Sequence, residues 1–212
     1  RFGLSLDAIA AENLQKTEYL FKGKDGSFDV DFPANERFPQ TVELQFEADG
    51  RRTLSVSADG KPVGDALTDN AYEDDGYRFH DAFHLAYMTR LGWSPVMRKL
   101  LSCKRKSDPT TDEVEDGARA RALEEDIAIL VLSQSEPAEG VPALFSDRSE
   151  VPFWLLENIK KMTDNLEVRV RSVMDWEDAI AQGYIIFDQL RAHGGGIVRC
   201  DLKGKTLSFQ AL

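Results

Sequence analysis

Two of the three histidines in this chain of 212 residues lie four positions apart, in the segment YRFHDAFHLAY that begins at Tyr77. If the segment is helical, His80 and His84 share one face, and Asp81 lies beside them. Imidazole nitrogens and carboxylate oxygens are ligands for divalent metal ions. The segment therefore predicts a metal-binding or phosphate-handling site, with a hydrogen-bonded polar histidine pair as the structural alternative.

Two further charged clusters follow along the chain. The first is a basic turn, Lys104-Arg105-Lys106, and the second is an acidic stretch that contains Glu113, Glu115 and Asp116. A metal ion needs oxygen ligands and a phosphate needs cations, so these clusters would hold a metal-bound phosphate if they met the histidines. Each cluster also has a structural explanation, because carboxylates stabilise helix N-termini and cations stabilise helix C-termini.

Three predicted helices would position these clusters. Their expected bounds are Tyr77 to Gly92, Pro95 to about Lys106, and Thr110 or Thr111 to about Ser133. Short connections make neighbouring helices antiparallel, so the start of the first, the end of the second and the start of the third would lie at one end of a bundle. The histidines, the basic turn and the acidic stretch would meet there.

The remaining patterns predict an α+β protein. Amphipathic periodicity predicts a helix over about residues 4–21, and two more helices follow residue 153. Alternating runs predict short antiparallel strands around residues 28–32, 42–46 and 54–56, with turns at Asp49-Gly50 and Asp59-Gly60. The glycine run 194–196 would end the last helix, and a hairpin over 197–209 would join the sheet.

We therefore expect a helical core over residues 77–193, an N-terminal helix and small sheet over 1–76, and a C-terminal hairpin over 194–212, packed as one unit. A linker rich in Glu, Pro, Ala and Gly covers about Gln134 to Ser149. The chain begins at Arg1 instead of Met, which leaves room for residues upstream.

Composition narrows the classes of partner. A net charge of −11 disfavours direct nucleic-acid binding, which uses net-basic faces. Cys103 and Cys200 form no CxxC pattern, which favours a reducing, cytoplasmic location. No signal peptide and no apolar run of about 18 residues is present, so neither secretion nor a membrane partner is expected.

The central stretch resembles the MazG-like all-α nucleoside triphosphate pyrophosphohydrolases over about residues 76–133. Asp81-x-x-His84 and Glu113-x-x-Asp116 are similar to the ExxE and ExxD pair that defines this family, and the flanking sequence is similar to divergent bacterial members: GYRFHDAFHLAYMTRLGWSP, KRKSDP, DEVEDGARA and LEEDIAILVL. The resemblance implies an all-α bundle in which four acidic side chains on two helices bind magnesium. The magnesium holds the phosphates of a nucleotide while water attacks and pyrophosphate leaves.

Carried over by position, the resemblance implies a metal site formed by His80, Asp81, His84, Glu113 and Asp116. Histidine stands at position 84 where the family has a glutamate. Because imidazole suits manganese and zinc, these metals are alternatives to the magnesium that the family implies. Catalysis itself could also have been lost through the same replacement.

The remaining expected contacts are phosphate binding by Lys104, Arg105 and Lys106, and a catalytic carboxylate at Glu124 or Glu125. A second alignment places Glu124-Glu125 at the start of the family's EExxE motif, with Ala128 in place of the second glutamate. The structural alternative is a partly buried Glu125 paired with an arginine, for which the candidates are Arg78, Arg119 and Arg121.

The leading hypothesis is metal-dependent hydrolysis of nucleoside triphosphates to monophosphate and pyrophosphate. The resemblance further implies a nucleotide as ligand and a homo-oligomer, or a place in a larger complex. One alternative is a catalytically altered module that senses nucleotides or binds a protein. Another is a histidine-ligated metallohydrolase that acts on a different substrate.

Overall fold

The computed structural model describes residues 5–134 and 151–212, and within them it combines α-helices with one five-stranded antiparallel sheet. The α+β prediction is confirmed. The helices are α1 (Leu6–Phe21), α2 (Asp81–Leu91), α3 (Pro95–Leu100), α4 (Pro109–Val114), α5 (Ala118–Ser133), α6 (Phe153–Met162) and α7 (Val173–His193). The strands are β1 (Thr41–Asp49), β2 (Arg52–Ser57), β3 (Leu67–Thr68), β4 (Gly195–Asp201) and β5 (Thr206–Gln210). Apart from Gln134, the predicted linker lies outside the described residues.

The sheet brings together strands from the two ends of the chain. Its order is β3-β2-β1-β4-β5, and Leu44 of β1 lies opposite both Ser57 of β2 and Val198 of β4. The C-terminal hairpin therefore joins the N-terminal strands, as predicted. Alternate residues at the start of β1 are buried, which is the period of two expected for a strand with one face on a core. Gly50 and Gly60 adopt positive φ in the two predicted turns.

Helices α2 and α7 cover the inner face of the sheet and pack closely on each other. Every residue of α2 except Arg90 is buried, so the histidine helix belongs to the core of the protein. A Cβ atom on Gly183 of α7 would lie 2.6 Å from the ring of Phe83, so glycine permits the close approach of the two helices. Both helices end at glycines in the left-handed conformation, Gly92 and Gly194. None of the described helices is long and apolar enough to cross a membrane.

The strand predicted at residues 28–32 is wrong. This segment forms irregular turns, in which the Asp29 carboxylate accepts the backbone N–H of Phe38 and pairs with Arg98. The rings of Phe28 and Phe32 lie against the guanidinium groups of Arg171 and Arg105, at 4.4 and 5.5 Å. Packing on arginines, instead of a strand, explains the alternating aromatic residues.

The predicted bounds of the central helices need correction. A 3₁₀ turn (Tyr77–Phe79) precedes α2, and α3 ends at Leu100, before Ser102 adopts a positive φ. The predicted third helix is divided into α4 and α5 at Gly117, where a Cβ atom would lie 1.8 Å from the carbonyl oxygen of Glu113. The break has a tertiary cause, because Asp116 turns inward to bind Arg105.

Candidate functional site

A cavity of about 370 Å³ lies where the β2–β3 connection meets α2, α3 and α5, and its size is that of pockets that bind small molecules. The start of α2, the end of α3 and the start of α5 all contribute to its wall. The predicted ends of the second and third helices, near Lys106 and Thr110, do not line the cavity, and α3 with the start of α5 takes their place. The charged and histidine residues that line the cavity are Asp65, His80, Asp81, Lys99, Arg121 and Glu125.

His80 lies at the start of α2 and is held in one orientation. Its Nδ1 lies 2.8 Å from the carbonyl oxygen of Tyr77, and the Tyr77 ring stacks on the imidazole at 4.2 Å. A carbonyl oxygen only accepts hydrogen bonds, so Nδ1 carries the hydrogen. Nε2 then faces Oε2 of Glu125 at 3.3 Å and is the ring atom that a metal ion would take.

His84 is completely buried between two carboxylates. Its Nδ1 lies 2.9 Å from Oε1 of Glu124, and its Nε2 lies 3.3 Å from Oε2 of Glu125. Burial opposes the charged form, but the charge of Glu124 and the hydrogen bonds to both carboxylates outweigh it and raise the pKa of His84 to about 10. His84 is therefore an imidazolium at neutral pH and becomes a metal ligand only when it loses a proton.

The neighbouring glutamates of α5 have different roles. Glu124 is fully buried and accepts hydrogen bonds from His84, from the hydroxyl of Ser94 at 2.6 Å and from the backbone N–H of Val96 at 2.8 Å. It thus ties α2 to the start of α3. Glu125 reaches the cavity. Burial raises its pKa, but the side chains of His80 and His84, which face the carboxylate, dominate and hold that pKa below its usual range.

Asp81 completes a group that could hold a metal ion. His80, Asp81 and His84 each offer a ligand atom, and these atoms lie within 4.8 Å of one another. The second oxygen of Asp81 is 3.3 Å from the hydroxyl of Ser55 on β2, so the sheet helps to orient it. The phenol of Tyr77 lies near this group. Its burial and the negative charges of Glu125 and Asp81 raise its pKa to about 12.

A family model described as the MazG C-terminal domain matches residues 24–212, which include the sheet and helices α2 to α7. The chain belongs to the MazG C-terminal domain family. This membership relates it to the MazG-like nucleotide pyrophosphohydrolases, and the match extends well beyond the central stretch that carried the resemblance. No curated protein and no solved structure matches the chain.

Two of the expected metal ligands lie elsewhere in this MazG C-terminal domain. Asp116 is buried and accepts hydrogen bonds from the backbone and guanidinium of Arg105, which also forms two hydrogen bonds to Glu167. Burial opposes the charge of Arg105, but Glu167 and Asp116 raise its pKa above the usual value. Glu113 is exposed on α4. Neither Glu113 nor Asp116 lines the cavity, within the part of the chain that the structure describes.

The basic turn is also separate from the cavity lining. Lys104 pairs with Asp112 at 2.5 Å, Arg105 is buried in the ion pairs described above, and Lys106 is exposed. The cations that do line the cavity are Lys99 and Arg121. No motif distinguishes Lys99 in the sequence, and only the packing of α3 beside α5 brings it to the histidines.

The predicted arginine partner of Glu125 is absent from the contacts of the described residues. Arg78 instead pairs with Asp69 and Asp74, each at 2.7 Å. The groups that face Glu125 are the two histidines. Glu125 lies on a helix face that the sequence predicts to be partly buried, but its pairing with the histidines joins residues about 40 positions apart, which local spacing does not predict.

Proposed function

We propose that this MazG C-terminal domain hydrolyses nucleoside triphosphates to monophosphates and pyrophosphate in a metal-dependent reaction at the cavity between α2, α3 and α5. The observation that carries the proposal is the convergence of His80, Asp81 and Glu125 on one cavity with Lys99 and Arg121. Metal ligands and phosphate-binding cations are both required for this chemistry. Family membership supports the substrate class.

The donor atoms at the cavity fit a divalent cation. Nε2 of His80 and carboxylate oxygens of Asp81 and Glu125 would hold it, with His84 as a further ligand after proton loss. Two imidazoles among the donors favour manganese or zinc over magnesium, which prefers oxygen ligands. When bound, the ion would neutralise the polyphosphate and polarise the bond to be broken.

Lys99 and Arg121 are the proposed phosphate contacts. Lys99 forms no ion pair with any residue in 5–134 or 151–212, so its ammonium is available to a ligand. The guanidinium of Arg121 donates a hydrogen bond to the carbonyl of Asp116 and has further N–H donors. In a chain of net charge −11, two cations beside the donor group would favour entry of an anion at this position.

The two glutamates of α5 would serve the reaction differently. Glu125 would contact the metal ion directly. Glu124 is already bound by three donors and would act through His84 and the start of α3, as a positioning residue.

In the proposed reaction, the oxygen of water would bond to the α-phosphorus, and the bridging oxygen would leave with the β-phosphate as pyrophosphate, with release of a proton near neutral pH.

Release of pyrophosphate from a panel of nucleoside triphosphates, with magnesium, manganese or zinc, tests the proposal. Asp81→Asn and Glu125→Gln should each reduce kcat at least about a hundredfold, since each removes a charged metal ligand. Lys99→Ala should chiefly raise KM. The matched control is Lys161→Ala, an exposed lysine of α6, which should leave both constants unchanged. Turnover that survives both carboxylate substitutions would refute the assignment of the site.

A nucleotide-binding module without turnover is the second candidate. The observation in its favour is that His84 is an imidazolium held by two carboxylates, while Asp116 is committed to Arg105. The acidic group is therefore smaller than the four carboxylates that the resemblance implies. Nucleotide binding by calorimetry, with no pyrophosphate released under any metal condition, would favour this candidate, and metal binding without nucleotide binding would favour another metallohydrolase substrate.

A further inference from the structure

A second cavity, of about 260 Å³, lies at the end of α2 opposite to the candidate site. Its lining includes Gly26, Phe38, Thr89, Arg171, Lys203 and Lys205. Within the described part of the chain, none of its lining residues also lines the first cavity. Asp81 lines the first cavity and Thr89 the second, so the two linings are about 12 Å apart along the axis of α2. The two cavities could therefore hold ligands at the same time.

The lining of the second cavity has an excess of positive charge. Among the described residues its cations are Arg171, Lys203 and Lys205, and its acid is Asp29. The Asp29 carboxylate is already paired with Arg98 at 3.0 Å. In a chain of net charge −11, three cations at one cavity favour a negatively charged ligand there.

Arg171 is a buried cation whose hydrogen-bond partners are neutral. Only 3% of the residue is exposed. Its guanidinium donates to the backbone carbonyls of Leu91 at 2.7 Å, of Gly26 at 2.5 Å and of Lys24. It forms no ion pair with a carboxylate of residues 5–134 or 151–212. The carbonyl oxygens satisfy three of its N–H groups but leave its charge unbalanced.

Two other buried arginines show what a buried guanidinium normally requires. Arg98 pairs with Asp29 at 3.0 Å, and Arg105 pairs with Asp116 at 2.6 Å. A buried charge is costly unless a partner of opposite sign compensates for the lost water. Arg171 departs from this pattern, and an anion in the adjacent cavity would supply the missing charge.

The acids close enough to act on the pKa of Arg171 are Asp175, Asp25 and Glu167. Each of them is held by another group. Asp175 accepts a hydrogen bond from the hydroxyl of Ser172 at 2.8 Å, and Glu167 accepts two from Arg105. Burial outweighs the three negative charges and lowers the pKa of Arg171. The acids around it therefore do not replace a direct partner.

The two lysines belong to the turn between β4 and β5. The Asp201 carboxylate holds this turn by accepting the backbone N–H groups of Lys203 and Gly204, each at 3.0 Å. Lys203 is exposed and forms no ion pair with any residue that the structure describes. Lys205 pairs with Asp25, whose side chain is 91% exposed, and surface pairs of this kind are weak. Both ammonium groups are therefore available to an anion.

We infer that the second cavity binds a small phosphate anion, inorganic phosphate or pyrophosphate, between Arg171 and the two lysines of the β4–β5 turn. A guanidinium has five N–H donors, and the three bonds to carbonyls leave two for the ligand. Arginine and lysine are the usual partners of phosphate oxygens. The volume also suits a small anion, since sites for larger organic ligands span about 300–1,000 Å³.

This inference does not rest on the proposed activity. The first cavity has its own cations, Lys99 and Arg121, and they are absent from the lining of the second. Phosphate bound at the first cavity would respond to Lys99→Ala, whereas phosphate bound at the second would respond to Lys203→Ala. A failure at either cavity is therefore distinguishable from a failure at the other.

Calorimetric titration of the full chain with inorganic phosphate and, separately, with pyrophosphate tests the site, with a chelator present. The anion that binds more tightly is the ligand, and Lys203→Ala should weaken its binding about tenfold by removing one charged contact. Lys161→Ala, at an exposed lysine of α6, is the matched control and should leave the affinity unchanged, as should Lys99→Ala. Absence of binding by both anions would overturn the inference, and so would binding that only Lys99→Ala weakens.

NMR of the arginine side chains tests whether the anion meets the buried guanidinium. The Nε–H signal of Arg171 should shift as the anion is added to the wild-type chain. Those of Arg98 and Arg105 are internal controls and should stay in place, because both are also buried but already paired with carboxylates. An Arg171 signal that stays unchanged at saturation would mean that this residue only ties the three carbonyls together, and would overturn the inference.

Discussion

Replacing Glu124 with glutamine tests the buried centre of the site. The substitution keeps the shape of the side chain but removes its charge from a position with no exposed surface. Three donors point at this carboxylate: His84 at 2.9 Å, Ser94 at 2.6 Å and Val96 at 2.8 Å. An amide has only one acceptor oxygen, and its NH₂ group would face a donor. Loss of one partner of a buried ion pair costs about 3–5 kcal/mol, which is the expected destabilisation near pH 6.

The stabilisation by the His84–Glu124 pair should decrease as the pH rises. The pKa of His84 is about 10 in the folded protein, against an ordinary value of 6.5. The stabilisation is thus complete below about pH 6.5 and is lost as the pH rises towards 10. Between those limits the folded state holds one more proton than the unfolded state. The free energy of unfolding therefore falls by about 1.4 kcal/mol for each unit by which the pH rises. Without Glu124, burial lowers the pKa of His84 and removes much of this slope.

Urea unfolding of the wild type and Glu124→Gln between pH 6 and 9, with a chelator present, measures the effect. The difference in unfolding free energy should be largest near pH 6 and should shrink as the pH rises. Glu113→Gln is a matched control on an exposed carboxylate and should change stability by no more than about 0.5 kcal/mol. Equal pH slopes for the wild type and Glu124→Gln, or an NMR titration of the wild-type His84 ring near pH 6.5, would contradict a charged His84 held by Glu124.

Three other outcomes follow from the packing. Asp116→Asn should destabilise the protein by about 3–5 kcal/mol in urea unfolding, because Arg105 stays buried with a weaker partner; an unchanged midpoint would contradict a structural role. Gly183→Ala should cost about 1–3 kcal/mol in the same assay, since its Cβ atom would lie 2.6 Å from Phe83. Burial raises the pKa of the Cys200 thiol to about 11, so a thiol reagent at pH 8 should label Cys200 only after unfolding, as followed by mass spectrometry.

The sequence determined most of the secondary structure, because the signals for it are local. The period of two predicted β1 and β2, and glycines marked the ends of α2 and α7. The α+β class followed from these elements. Local signals failed where a long-range contact changed the conformation. At Gly117, the hydrogen bonds between Arg105 and Asp116 divide a helix that the pattern predicts to be continuous.

For the site, the sequence by itself determined the histidine cluster, because His80, Asp81 and His84 belong to a single turn of helix and need no distant contact to meet. Only the tertiary structure decided what surrounds them. The packing of α5 on α2 places Glu124 and Glu125 on the two nitrogens of His84, and the packing of α3 on α5 adds Lys99. The acids and cations that reach a helix are determined by how other helices pack against it. Residue spacing along one helix does not predict that packing.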